Sequence, residues 1–357
     1  MRPASDLTSD LASTTSPRLV TSSRYDDTDR IDPTIPAGAV PDTPASEVLE
    51  DRFEDWGGDA RYFEYSKASD PLAGGSISPV PVATFSPDLY RDGPTRVVPL
   101  DLSAEMGIDS GPATSPALLA SFARIRAGER LPTAPNATSQ LYYVLHGRGF
   151  SVVNGSIVRW SKGDFLTLPA GSIATHHAED DTAFYWVTDE PLMRYLGVEA
   201  TTPRFRPTRF SREDAVAELQ RIAEAPGAND KNRVSVLLAN AEEEQTLTIT
   251  HVLWAMFGLL PAGQVQRPHR HQAVALDLIL DCRPGCYTLL GDRLDDRGEI
   301  VDPMRVDWEP GGAFVTPPGK WHAHHNESGA PAHLIPVQDA GLHTYLRSLD
   351  IRFGDRR

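Results

Sequence analysis

The 357-residue sequence predicts an all-β fold, in the main, of two similar antiparallel barrels joined by a short helical linker. Short runs of β-branched and aromatic residues alternate with glycine turns, at the spacing typical of a barrel or sandwich. The 27 glycines and 30 prolines suit many turns and exceed what a helical bundle tolerates. One spacing of glycines and prolines also occurs twice, which indicates an internal repeat.

The N-terminal part of the chain has no barrel pattern. Residues 1–50 are rich in Ser, Thr, Pro and Asp and show no hydrophobic period. Such a segment buries too little apolar area to offset its ordering entropy, so we expect a disordered or arm-like tail. Residues 51–117 mix helical and extended signals, and we expect this segment to pack on the barrels.

Two strand-rich regions follow. Residues 118–200 form the first predicted barrel and residues 246–357 the second. Residues 201–245 between them are the predicted linker. Its helix begins at the capping residue Ser211, with Asp214 three residues later, and ends at Pro226.

Composition excludes several functional classes. The 34 basic and 49 acidic residues give a net charge of −15, which repels nucleic acid. No run approaches the ~20 apolar residues of a membrane span, and the first residues lack the apolar core of a signal peptide, so we expect a cytoplasmic protein. Cys282 and Cys286 are too few for a disulfide framework and are interpreted as reduced thiols.

The second predicted barrel carries a strong spacing pattern. Gly263 is followed after five residues by His269, with His271 two residues on. Gly311 is followed by a set of residues at fixed offsets: Pro317, Gly319, His322 and Asn326. This two-part pattern resembles the cupin signature, and the resemblance implies a double-stranded β-helix barrel.

The first predicted barrel keeps the turns of this pattern and loses the histidines. Its ligand positions fall on residues that bind metals poorly: Ala134, Asn136, Gln140 and Ala174. His176 and His177 align with His324 and His325 and not with a ligand position. The sequence therefore resembles a bicupin with a degenerate first metal site and an intact second one.

His269, His271 and His322 are the predicted metal ligands. Side chains alternate along a strand, so His269 and His271 share one face. The usual glutamate ligand is replaced by Ala275. Three imidazoles suit a divalent metal and leave coordination positions open. Iron(II), one per chain, fits oxygen chemistry best, although zinc, nickel, manganese or copper would also bind.

The segments LLPAGQVQRPHRHQAVAL and FVTPPGKWHAHHN resemble the gentisate 1,2-dioxygenase family, and the similarity extends from Leu118 to Phe353. The resemblance implies a non-haem iron(II) enzyme that opens a hydroxy- or amino-substituted aromatic ring with O2. It also implies a homodimer or homotetramer and a role for His324 as an acid or base beside the metal. In that family the N-terminal barrel generally carries the iron, whereas here the intact site is C-terminal.

Asp277 replaces an arginine that often binds the substrate carboxylate in this family. A buried carboxylate needs a partner. We consider two partners: an amine or hydroxyl group of the substrate, or a barrel arginine such as Arg267. The same strand predicts that Leu276, Leu278 and Leu280 point outward, towards another sheet or a partner subunit.

Three functions are compatible with the sequence. The first is a ring-cleaving dioxygenase that acts on a gentisate-, salicylate- or aminophenol-like aromatic. The second is another metal-dependent cupin oxygenase or isomerase. The third is a non-catalytic bicupin that binds a small molecule. Consumption of O2 with a candidate substrate separates the first two from the third.

Overall fold

The computed structural model describes residues 57–227 and 233–354. Residues 64–357 make one compact unit that contains both barrels. In the preceding unit the described residues contain one turn, in which the Ala60 amide donates to the Gly57 carbonyl at 3.1 Å. The predicted tail over residues 1–50 lies outside the described residues.

Short β-strands dominate the described chain. In chain order they are β1 (Thr84–Phe85), β2 (Arg96–Pro99), β3 (Leu119–Ile125), β4 (Arg130–Thr133), β5 (Ser139–His146), β6 (Arg148–Val153), β7 (Ser156–Ser161), β8 (Phe165–Pro169), β9 (Ala174–Ala178), β10 (Thr182–Thr188), β11 (Thr208–Phe210), β12 (Val234–Leu238), β13 (Trp254–Leu260), β14 (His269–Arg270), β15 (Ala275–Asp281), β16 (Cys286–Gly291), β17 (Met304–Asp307), β18 (Ala313–Thr316), β19 (Trp321–Asn326), β20 (Ala332–Gln338) and β21 (Arg352–Phe353).

The α-helices of the described chain have four to twelve residues each. They are α1 (Tyr65–Ala68), α2 (Asp88–Arg91), α3 (Ser103–Met106), α4 (Glu190–Leu196), α5 (Arg212–Ala223) and α6 (Ala340–Tyr345). The predicted cap of α5 is present, because the Ser211 hydroxyl accepts from the Asp214 amide at 3.1 Å. None of the helices in the described residues is long and apolar enough to cross a membrane.

Each barrel consists of two antiparallel sheets. In the first barrel the sheets have the orders β11-β8-β5-β10-β3-β2 and β4-β9-β6-β7. In the second they have the orders β1-β18-β15-β20-β13-β12 and β17-β16-β19-β14-β21. The same pairing recurs, since β5 lies between β8 and β10 as β15 lies between β18 and β20. The predicted mainly β fold of two barrels is confirmed.

The segments outside the barrel cores supply edge strands. From the N-terminal segment, β1 pairs with β18 of the second barrel and β2 pairs with β3 of the first. From the segment between the barrels, β11 pairs with β8 and β12 pairs with β13. The region predicted as a linker therefore extends one sheet of each barrel, besides carrying α5.

The largest apolar core joins the two barrels. Leu276 and Leu278 are 1% and 0% exposed and share this core with Phe122 and Tyr185 of the first barrel, while Leu280 packs against it. The alternative that this leucine stripe meets a partner subunit is wrong, because the first barrel of the same chain covers it. The expected dimer or tetramer therefore depends on the family resemblance alone.

Candidate metal centre and ligand pocket

Three histidines meet inside the second barrel. His269 in β14 lies directly opposite His322 in β19, and His271 follows two residues after His269. All three are buried, with 2–4% of each residue exposed, and their ligand nitrogens lie within 4.8 Å of one another. Within residues 57–227 and 233–354 this is the only such group of metal-binding side chains. The structure thus brings together the three residues that the spacing predicted.

Backbone carbonyls orient these three imidazoles. The Nδ1 atom of His269 lies 3.2 Å from the Arg267 carbonyl, that of His271 2.8 Å from the Ala273 carbonyl, and that of His322 3.0 Å from the Lys320 carbonyl. A carbonyl only accepts, so each Nδ1 carries the proton and each Nε2 carries a lone pair. The lone pair of His269 accepts from Arg233 Nη2 at 3.2 Å, and that of His271 lies 3.5 Å from Gln338 Nε2. This is the usual arrangement of histidines that bind a metal.

Burial keeps the three imidazoles neutral. It holds the pKa of His269 and His322 well below the ordinary value and lowers the pKa of His271 to about 4. The charge of Arg233 lowers the pKa of His269 further. Neutral nitrogen ligands suit a divalent metal, so the residues present fit the metal that the sequence predicts.

His324 lies beside the three histidines without joining them. Its ring centroid is 5.7 Å from that of His322 and 6.1 Å from that of His269, and the residue is 1% exposed. Its Nδ1 contacts the Thr288 hydroxyl at 2.8 Å instead of a backbone carbonyl. The position is compatible with the role beside the metal that the resemblance implies.

A pocket of about 300 Å³ opens next to the histidines, at the lower end of the range for small-molecule sites. Its walls are mostly apolar and come from β13, β14 and β20, from the residue before β12 and from the C-terminal segment. The lining residues are Arg233, Trp254, Met256, His269, His271, Gln338, Ile351 and Phe353. Phe353 in β21 stacks on His269, with ring centroids 5.8 Å apart and planes at 22°.

Arg233 is the site residue that sequence reasoning missed. Its Nη2 lies 3.2 Å from His269 Nε2 and 3.4 Å from Gln266 Oε1. Burial lowers its pKa from the ordinary arginine value, and Asp277 opposes that shift. Arg233 precedes β12, and only the pairing of β12 with β13 brings it into the barrel. No motif around it carries that information.

Asp277 is buried in the same barrel and contacts another side chain. Its Oδ2 accepts from the Thr316 hydroxyl at 2.8 Å, while Oδ1 has no hydrogen-bond partner among the described residues. Burial raises the pKa of Asp277 to about 6, against the Thr316 hydrogen bond and the Arg233 charge. The charge of Arg233 thus acts on Asp277. Asp277 is not among the residues that line the pocket in the described chain.

A hydrogen-bonded network fills the corresponding place in the first barrel. The Thr133 hydroxyl lies 3.0 Å from Tyr142 Oη and 3.1 Å from His176 Nε2, and Tyr142 donates to Gln140 Oε1 at 2.8 Å. Thr133 pairs with Ala174 as His269 pairs with His322. The position of His269 is therefore taken by Thr133. The expectation of Ala134 there was wrong by one residue, because the preceding loop is one residue shorter.

Comparisons with known proteins agree with this architecture. Residues 119–279 match the family of AraC-like ligand binding domains. Salicylate 1,2-dioxygenase from Pseudaminobacter salicylatoxidans superposes with a TM-score of 0.60 at 16% identity, over 78% of this chain and 89% of that one. The chain has the bicupin fold. At this identity the superposition establishes the fold alone.

Curated proteins with sequences similar to this chain are dioxygenases of aromatic carboxylates by name. 5-Aminosalicylate 1,2-dioxygenase from Comamonas sp. is 35% identical over 92 residues, 26% of this chain and 24% of that protein. 1-Hydroxy-2-naphthoate 1,2-dioxygenase from Nocardioides sp. (strain KP7) is 27% identical over 158 residues, 44% of this chain and 38% of that protein. The matches cover well under half of each relative. They confirm the resemblance to the gentisate 1,2-dioxygenase-like family.

Proposed function

We propose that this bicupin is a metal-dependent dioxygenase that opens the ring of a benzoate bearing hydroxy or amino groups. The main support is a group of three neutral imidazoles with ligand nitrogens within 4.8 Å of one another, two of which line a pocket together with the guanidinium of Arg233. His269, His271 and His322 hold the metal. Iron(II), when bound, supplies open coordination positions and the electrons that O2 chemistry requires.

Arg233 binds the carboxylate of the substrate. A guanidinium matches a carboxylate in charge and geometry, and Arg233 is a cation on the wall of an otherwise apolar pocket. The pocket volume of about 300 Å³ favours a substrate with one ring. The apolar walls, which include Trp254, Met256 and Phe353, keep water away from the reacting groups.

The substrate we favour is a salicylate with an amino or hydroxyl group on the ring. Salicylate combines a carboxylate with an adjacent phenol, so Arg233 and the metal can each hold one end of the pair. The similarity to a 5-aminosalicylate 1,2-dioxygenase and to a gentisate 1,2-dioxygenase supports the further ring substituent.

Asp277 acts through Arg233 in this proposal. Its carboxylate is fixed by Thr316 and offsets part of the cost of burying the guanidinium. We expect Asp277→Asn to lower kcat/KM for amino- and hydroxysalicylate by the same factor. A changed ranking of the two substrates in steady-state assays would show instead that Asp277 contacts the ring substituent.

A second candidate function is binding without turnover. It is favoured by the match of residues 119–279 to AraC-like ligand binding domains. In that case the metal and Arg233 hold a carboxylate ligand and O2 is not consumed. An oxygenase of another class would consume O2 and form a different product. An isomerase would convert the substrate without consuming O2.

Oxygen uptake tests the proposal. Iron(II)-loaded protein is incubated with 5-aminosalicylate, gentisate or salicylate, and O2 consumption is followed with product mass. We expect a product that contains both atoms of O2 and expect that His322→Ala does not form it. His325→Ala is the matched control, because that histidine stacks on Tyr287 outside the three-histidine group. Ligand binding without O2 uptake would support the second candidate instead.

A further inference from the structure

The four histidines of the site differ in what their Nδ1 atoms contact. His269, His271 and His322 face backbone carbonyls, whereas His324 faces the hydroxyl of Thr288 at 2.8 Å. A hydroxyl both donates and accepts, so its other contacts decide the direction of the bond. The Thr288 oxygen also lies 2.8 Å from Trp308 Nε1, and an indole N–H only donates.

Counting hydrogens fixes the direction of the Thr288 bond. Thr288 is fully buried, and its hydroxyl contacts only Trp308 and His324 among the described side chains. If His324 donated from Nδ1, the threonine oxygen would accept twice and its own hydrogen would lack an acceptor, which is costly in a buried site. Thr288 therefore donates to Nδ1 of His324, and the proton of that ring is on Nε2.

The first barrel contains the same triad with every hydrogen bond completed. Trp160 Nε1 donates to the Ser151 hydroxyl at 2.9 Å, and that hydroxyl lies 2.7 Å from His176 Nδ1. Ser151 pairs with His176 as Thr288 pairs with His324. His176 Nε2 then donates to the Thr133 hydroxyl at 3.1 Å, and the Thr133 hydroxyl donates in turn to Tyr142 Oη at 3.0 Å.

In the second barrel the chain of hydrogen bonds stops at His324. The residue at the position of Thr133 is His269, whose Nε2 carries a lone pair that faces Arg233 Nη2 and not His324. No hydrogen bond of His324 Nε2 occurs within the described residues, although the ring is 1% exposed and lies beside the three histidines. An N–H group in this place lacks an acceptor until a ligand supplies one.

We propose that Trp308 and Thr288 are positioning residues that hold His324 as a hydrogen-bond donor towards an anionic oxygen of the bound ligand. The Nε2 proton also prevents His324 from becoming a fourth metal ligand. The group that contacts Nδ1 thus determines whether Nε2 of each of the four buried histidines is an acceptor or a donor. Three of them are acceptors and one is a donor. This inference rests on the proposed function for the identity of the ligand, but the position of the proton can be measured without turnover.

Nitrogen NMR on the zinc-loaded full-length protein, labelled with ¹⁵N-histidine, tests the position of the proton. We expect two buried imidazoles with protonated Nε2 and bare Nδ1, those of His324 and His176. The signal of His324 is lost in His324→Gln and altered in Thr288→Val, whereas that of His176 is retained in both variants. The three ligand histidines have the opposite pattern. A His324 ring with its proton on Nδ1 in the wild-type protein overturns the inference, whether or not the protein is a dioxygenase.

Kinetics of the iron-loaded protein test the consequence. Thr288→Val is expected to lower kcat about 10- to 100-fold, with KM and iron content little changed, because a donor that acts during the reaction is no longer oriented. Thr288→Ser keeps the hydroxyl and restores kcat. Ser151→Ala removes the matching hydroxyl of the first barrel and leaves kcat unchanged. Equal losses in Thr288→Val and Ser151→Ala would mean a purely structural role and would overturn the inference.

Discussion

At the scale of residues, the chemistry of the site depends on the groups that hydrogen-bond to the site side chains or lie near them with a charge. Three backbone carbonyls fix the Nδ1 protons of the histidines in the proposed metal centre, and the charge of Asp277 opposes the lowering of the Arg233 pKa by burial. The identity and order of the histidines are visible in the sequence, and their spacing predicted the group correctly. The partners are not visible, because each comes from a strand or loop whose register only the fold determines.

Removal of the Arg233 charge should weaken the binding of a carboxylate selectively. We expect Arg233→Gln to lower kcat/KM for salicylates about 10- to 100-fold, since a hydrogen bond to a charged group contributes about 1.5–3 kcal/mol. Iron content should not fall, because the substitution removes a positive charge next to His269. Steady-state assays with Arg305→Gln, an exposed arginine, provide the control. An equal loss for catechol-type compounds without a carboxylate would contradict the role.

At the scale of elements, the short strands β14 and β21 build the site together with β19. β14 has two residues and is fixed between β19 and β21, so His269 has His322 on one side and Phe353 on the other. The sequence predicted the outward direction of Leu276 and Leu278 correctly but left open what covers them. It could not place Arg233, since β12 joins the barrel only through long-range pairing with β13.

The C-terminal strand should contribute to the pocket through Phe353. Its ring stacks on His269 and lines the pocket, and stacking of aromatic rings contributes about 0.5–1.5 kcal/mol beyond the buried area. We expect Phe353→Ala to raise KM roughly 2- to 10-fold with little change in iron content. Phe150→Ala is the matched control, because Phe150 stacks on His177 in the first barrel. Similar KM values for both variants would exclude this role of β21.

At the scale of the whole molecule, one framework has two different interiors. Both barrels keep the same strand pairing and the same Trp–hydroxyl–His triad, and a common apolar core joins them. In the first barrel the buried polar side chains hydrogen-bond to one another. In the second barrel three histidines present Nε2 lone pairs and His324 presents an Nε2–H group. The sequence predicted this division because ligand histidines occur in one half only. It could not predict the network that replaces them, whose members are ordinary Thr, Tyr and Gln residues.

Buried carboxylates should make the stability of the fold depend on pH. Burial raises the pKa of Asp339 from 3.8 to about 7, so the folded chain binds its proton more tightly than the unfolded chain. The stability gained from this protonation is complete below about pH 4 and is lost as the pH rises through about 7. We expect Asp339→Asn to become more stable relative to wild type between pH 5 and pH 8, measured by urea unfolding.

Asp295 provides a control for this prediction, because its pKa is shifted in the opposite direction. It is exposed, and backbone hydrogen bonds from Glu299 and Arg297 lower its pKa. Asp295→Asn should therefore differ from wild type by the same free energy of unfolding at pH 5 and pH 8. A constant difference for Asp339→Asn over this interval would show that Asp339 is ionised in the folded protein throughout.

The most direct measurement is the metal content per chain, by plasma mass spectrometry on protein purified without added metal or chelator. We expect about one iron per chain, abolished by His322→Ala and unchanged by His176→Gln in the first barrel. About two metals per chain, or one metal that survives His322→Ala, would contradict a single centre in the second barrel. Absence of metal, with no uptake of iron(II) under anaerobic conditions, would contradict the proposed dioxygenase.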